Sequence, residues 1–105
     1  MVARVTLAEI DTLRMPLVEA IGVFRRQIAP ALREQAGFEG VYVLATPEGR
    51  ALVMTLWESE QSMEAGLESG FYNEQVERFV TVFRSPPGRE LYEVVHVEVP
   101  EGAAV

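Results

Sequence analysis

Ala51-Leu-Val-Met-Thr-Leu-Trp57, followed at once by Glu58-Ser-Glu-Gln-Ser-Met-Glu64, is the stretch that decides the fold of this 105-residue chain. A nearly unbroken apolar strand ends in the only Trp, and a helix start follows within two residues. Leu52, Met54 and Leu56 fall on one face of such a strand, and Ala51, Val53 and Trp57 on the other. Both faces then need cover. A chain of this length forms one core, and its single layer of helices covers one face. The other face calls for a partner.

Around that strand the order of elements is legible. Val2 to Ala8 reads as a first strand. Asp11 to Met15 is a connector, and Pro16 suits the first turn of a helix, where its missing N–H costs nothing. Leu17, Ile21, Phe24, Ile28 and Leu32 recur at spacings of four, three, four and four, an amphipathic helical stripe. Pro30 lies within it and predicts a kink or break. Gly37 can stop the helix in a left-handed conformation. Phe38 to Ala45 is a second strand, and Thr46-Pro-Glu-Gly49 turns the chain into Ala51–Trp57 as an antiparallel hairpin.

Ser59 is a natural N-cap for a short helix ending near Ser69-Gly70, with Glu60 suited to the positive end of its dipole. Tyr72, Val76, Phe79 and Phe83 then mark a helix from about Phe71 to Phe83. Ser85-Pro-Pro-Gly88 cannot continue it. Leu91 to Val99 is a last strand, and Pro100 to Val105 a frayed tail. Residues 1–99 therefore form one domain.

Composition excludes several classes of function. The net charge of −7, from 16 acidic against 9 basic residues, opposes a phosphate backbone, so no nucleic acid is expected. No apolar run approaches the roughly 20 residues that span a bilayer, and no secretory leader pattern opens the chain. A cytoplasmic location is expected. The chain has no Cys, which removes disulfides and thiolate chemistry, and no metal-ligand spacing stands out. No phosphate-binding glycine loop occurs, so no nucleotide cofactor is expected.

The order β-α-β-β-α-α-β predicts an α+β, ferredoxin-like split βαβ fold, a four-stranded antiparallel sheet with helices on one face. The uncovered face would be an apolar patch larger than a monomer tolerates. A homodimer packed sheet against sheet removes it.

Pro30 with Gly37-Phe38-Glu-Gly40, Val53-Met-Thr-Leu-Trp-Glu-Ser59 with Glu64-Ala65, and Leu91-Tyr-Glu-Val94 after a proline-rich loop together resemble the antibiotic biosynthesis monooxygenase family. The resemblance covers roughly Val2 to Val99. It implies a dimeric α/β barrel with a helix–sheet pocket in each subunit. Members of that family oxidise polyphenols, anthrones or quinols with dioxygen and without a cofactor, or cleave haem. The haem-cleaving branch uses an Asn on the first strand, a Trp in the short helix and a His ten residues later. Here the last two positions are Gly66 and Val76, and Val2 to Ala8 holds no Asn, which disfavours haem degradation.

Each candidate site residue carries two readings. Trp57 is a packing residue whose indole N–H is bonded at the strand end, or a flat wall for an aromatic ligand. His96, the only histidine, is mid-strand and satisfied by a neighbour, or faces the pocket as the base that deprotonates a phenolic or enolic substrate before it gives an electron to dioxygen. Tyr72 and Asn73 belong to a helix stripe and its first turn, or stand at the pocket mouth and orient a substrate oxygen. Tyr42 has the same two roles. Arg4, a charge in an apolar strand, is paired to Glu93 or Glu98, or binds an anionic substrate. The run Glu58, Glu60, Glu64, Glu68 is a solvated helix face. Two functions follow: a cofactor-independent monooxygenase acting on a small apolar, aromatic or quinol-type ligand, or a non-catalytic small-molecule-binding or stress-associated dimer of the same fold.

Overall fold

A computed structural model describes residues 1–100, apart from the side chains of Phe71, Tyr72 and Phe79. Strands β1 (Val2–Glu9), β2 (Phe38–Ala45), β3 (Arg50–Trp57) and β4 (Gly88–Glu93) form one antiparallel sheet in the order β2-β3-β1-β4. Between β1 and β2 run α1 (Leu17–Val23), a π-helical turn (Phe24–Ile28) and α2 (Ala29–Arg33). Helices α3 (Glu60–Leu67) and α4 (Gly70–Val80) connect β3 to β4. The order and the sheet are those of the ferredoxin-like split arrangement.

Pro30 shapes the first helical run. It offers no N–H, and its ring would press on the carbonyl of Arg26 in a regular helix. The chain widens the preceding turn instead: the Ala29 N–H bonds to the Phe24 carbonyl, five residues back, and Pro30 falls in the first turn of α2. The expected disruption is therefore a π turn, a feature often placed at functional sites. Pro16 sits at the N-cap rather than inside the first turn, with its carbonyl accepting from the Ala20 N–H at 3.0 Å. Gly37, at φ +81°, takes the positive-φ position of the turn closed by Phe38 N–H to Gln35 O at 3.3 Å. Ser59 caps α3 by accepting from the Ser62 N–H at 3.1 Å, and the acids Glu58, Glu60, Glu64 and Glu68 are all exposed.

Strand register assigns the two faces. Arg4 pairs with Thr55, Thr6 with Val53, and Ala8 with Ala51, and these residues face the helices. Their neighbours Val5, Leu7, Leu52, Met54, Tyr42, Leu44 and Tyr92 point to the other side, because side chains alternate along a strand. On that side Leu7 is 50% exposed and Leu44 56%, so a broad apolar surface faces outward.

Two clusters hold the helix layer. Ile28, Leu32, Trp57, Met63 and Leu67 form one, with Phe38 edge-on to Trp57 at 5.4 Å between ring centres. Ile10, Ala20 and Val82 form the second at the far end of the sheet. Gly66 of α3 lies against Trp57, and a Cβ there would come within 2.6 Å of the indole ring.

Two expected boundaries shift. The last strand spans Gly88–Glu93 rather than Leu91 to Val99. It begins early because Gly88 finds Leu7 as partner, and it ends where pairing reaches the start of β1 at Val2–Glu93. Val94 N–H to Met1 O, at 3.0 Å, is the final bond along that edge, and Val95, Val97 and Val99 are exposed beyond it. The last helix ends at Val80, and Phe83 instead forms an isolated bridge with Ile10. The tail beyond Pro100 lies outside the described residues.

Gly66→Ala should lower stability by about 1–3 kcal/mol, since a rigid ring blocks the added methyl. Gly70→Ala, where nothing lies within 4 Å, should be neutral or slightly stabilising in the same urea titration. Equal midpoints for the two variants would contradict the packing of Trp57 on Gly66.

Candidate functional site

The two clusters leave space between them. A cavity of about 100 Å³ lies between the sheet and the helices, lined by β1 (Arg4, Thr6), β3 (Val53, Thr55), the π turn (Phe24, Ile28) and α4 (Asn73, Val76). Phe83, Pro87 and Arg89 close its β4 side, and Leu67 contributes from α3. A second cavity of about 40 Å³ adjoins it and shares Thr6, Phe24, Val53 and Phe83 as walls.

The larger cavity has a distinctive charge. Arg4 and Arg89 both line it, and no acidic residue does so among the described residues, in a chain of net charge −7. Register explains the pairing: Arg89 is opposite Thr6 on β1, one step along the same face from Arg4. Guanidinium groups keep their charge across the working pH range and present fixed forks of donors. Asn73 adds an amide at the first turn of α4, and Thr55 a hydroxyl that donates to the Arg4 carbonyl at 3.5 Å. Such a lining suits an anion on a flat apolar body.

The sequence candidates divide. Arg4 and Asn73 line the cavity. Tyr42 lies on the opposite face, since it pairs with Met54 while the cavity faces Val53 and Thr55. The side chain of Tyr72 lies outside the described residues. Trp57 is fully buried in the core cluster and is not part of the cavity lining. Its indole Nε1 has no hydrogen-bond acceptor among the described residues, so the expected bond at the strand end is absent there.

His96 is not mid-strand, because β4 has ended three residues earlier. Its side chain is 74% exposed and sits 3.3 Å from the Glu98 carboxylate, away from the cavity lining. Displaced ionisations also occur away from the cavity. Tyr92, on the open face, is held above the ordinary phenol range by its hydrogen bond to Glu90 and that group's charge. Glu48, in the hairpin turn, is held below the ordinary carboxylate range by a backbone N–H and the Thr46 hydroxyl.

Sequence reading passed over Arg89, Thr55 and Phe24. Arg89 escapes notice because the apolar alternation begins at Leu91, two residues beyond it. Thr55 is the one polar residue within the apolar run Ala51–Trp57, and that is the available signal.

His96→Ala should change stability by no more than about 0.5 kcal/mol, as exposed pairs usually do. Trp57→Ala should cost about 3–5 kcal/mol, the range for removing a buried aromatic side chain. Chemical denaturation followed by far-UV dichroism measures both. A large loss on His96→Ala would mean that the 96–98 segment is packed in the folded protein.

No protein-family model and no curated protein matches the sequence. Solved structures do. SnoaB, described as a cofactor-independent oxygenase from Streptomyces nogalater, superimposes with a TM-score of 0.77 at 14% identity, over 91% of this chain and 94% of that one. A structure described as an antibiotic biosynthesis monooxygenase gives 0.75 at 10% identity, over 91% of this chain and 100% of the other. A protein of unknown function from Nitrosomonas europaea gives 0.74 at 19% identity, over 96% and 95%. The chain therefore has the fold shared by the antibiotic biosynthesis monooxygenases, with a helix–sheet cavity lined by two arginines.

Proposed function

We propose that this protein is a homodimeric, monooxygenase-like enzyme that oxidises a small acidic aromatic or quinol-type compound with dioxygen and without a bound cofactor. Residues 1–99 act as its one domain. The observation that carries the reading is the helix–sheet cavity in which Arg4 and Arg89 meet an apolar wall with no carboxylate among the described residues. Likeness of fold to a cofactor-independent oxygenase supports the reaction class.

Two cations at the cavity wall, Arg4 half-buried and Arg89 exposed, favour the ionised form of a bound phenol or enol. For a quinol the chemistry balances simply. The bound anion gives one electron to dioxygen, and the radical pair combines to form a C–O bond beside the ring oxygen. The O–O bond then breaks with loss of one water, leaving a hydroxyquinone. One oxygen atom enters the product and the other leaves as water. Asn73 and Thr55 would orient the ring oxygens. No histidine, carboxylate or tyrosine lines the cavity among the described residues, so substrate acidity replaces a protein base.

That no such base lines the cavity among the described residues also supports a second reading, a binding dimer without turnover. Dioxygen uptake separates the two. With benzoquinol-type substrates the first reading expects uptake that falls at least tenfold in Arg89→Gln. Its pH profile should rise through the substrate's own pKa and move with that pKa when the substrate is changed. A fixed midpoint for all substrates would point to a protein base, and His96→Ala then asks whether His96 is that base. Binding with no uptake leaves the non-catalytic reading.

The dimer is proposed from the open apolar face. Sedimentation equilibrium at micromolar concentration should give twice 11.7 kDa. Leu7→Glu with Leu44→Glu should give the monomer mass, because two like charges would be buried in each sheet face. A wild-type monomer would remove the dimer.

A further inference from the structure

We propose that the ligand is a slender amphiphile: a single ring bearing one acidic group and carrying an unbranched apolar substituent that enters the second cavity. This deepens the proposed function and rests on the same site. The two cavities differ sharply in chemistry. Arg4, Arg89 and Asn73 line only the first, whereas the second is apolar throughout except for the shared Thr6. An anionic head therefore has one place to go, and an apolar tail has the other.

Size sets the shape. The first cavity, at about 100 Å³, is somewhat smaller than the dry cavity of about 150 Å³ that accepts benzene in another protein, so it suits one ring after slight adjustment. The second, at about 40 Å³, has room for a short chain but not for a further ring. Its floor explains why it exists. Ala8, Ala51 and Ala45 stand in register on β1, β3 and β2, and any larger side chain there would fill the space.

Phe24 and Phe83 line both cavities, together with Thr6 and Val53, so a ligand that fills both lies along these four residues. Phe24 opens the π turn, and Phe83 is held by its bridge to Ile10. A narrow tail fits beside them, whereas a fused tricycle would have to displace the alanine floor.

Calorimetric titration of the full chain with benzoate, 4-butylbenzoate and anthracene-2-carboxylate tests this. The butyl group should tighten binding at least tenfold over benzoate, as burial of several methylenes predicts. Anthracene-2-carboxylate should bind more weakly than 4-butylbenzoate. Ala51→Leu should reduce the affinity for 4-butylbenzoate to about that for benzoate, and Arg89→Gln should weaken both acids by a similar factor. Ala45→Leu, at the exposed rim of the same cavity, provides the test if Ala51→Leu does not fold.

Equal affinities for benzoate and 4-butylbenzoate, with dependence on Arg89 intact, would overturn the amphiphile and leave the anion site standing. Persistence of the butyl gain in both filled variants would overturn the role of the second cavity. Tighter binding of the tricycle would overturn the slender shape. Failure of every acid to bind would overturn the proposed function together with this inference.

Discussion

A sheet with apolar side chains on both faces, and helices enough for only one, is the constraint on which the rest of this structure depends. Strand β3 sets it, with Val53 and Trp57 turned toward the helices and Leu52, Met54 and Leu56 turned away. Pairing with β1 and β2 extends the same division across three strands. On the helix side the apolar surface buries itself in two clusters. On the other side Leu7, Leu44, Tyr42 and Tyr92 remain substantially exposed, a surface that water penalises and a second sheet would cover.

The cavities arise from how the helix side is covered. Large side chains gather at the two ends, around Trp57 and around Ile10, and small or short ones lie between them. Thr6 and Thr55 keep the middle of the sheet low, and Ala8, Ala45 and Ala51 do the same toward its Ile10 end. Above it the π turn forced by Pro30 keeps Phe24 and Ile28 over that depression. The arginines then give the space a sign. Arg4 is half-buried and Arg89 exposed, so the positive charge lies at the wall and the open side of the cavity.

Much of this was legible in the chain. Period-2 and period-3.6 patterns place the strands and helices, Ser59 marks a helix start, and the two-faced β3 strand points to an uncovered sheet; Gly37 does not end the helix, which stops at Arg33, but turns the chain into β2. Arg4, a lone charge in an apolar strand, lines the cavity. Other residues misled for physical reasons. His96 shares the alternation of a strand, but alternation does not supply a pairing partner, and pairing with β1 ends at Val2–Glu93, with one further bond from Val94 to Met1. Trp57 looks like a pocket wall, yet the adjacent Gly66 lets α3 close over it and bury it completely. Tyr42 is one register step from the cavity, and one step reverses the face.

The sequence by itself determined the element order, the antiparallel hairpin and the excess of apolar surface, because these follow from local patterns and short-range turn chemistry. Only the tertiary structure decided which residues share a cavity. That choice depends on strand register and on how far each helix extends, and both are set by contacts between segments distant in sequence. Arg4 and Arg89 are brought together in this way, and so are the alanines of three different strands.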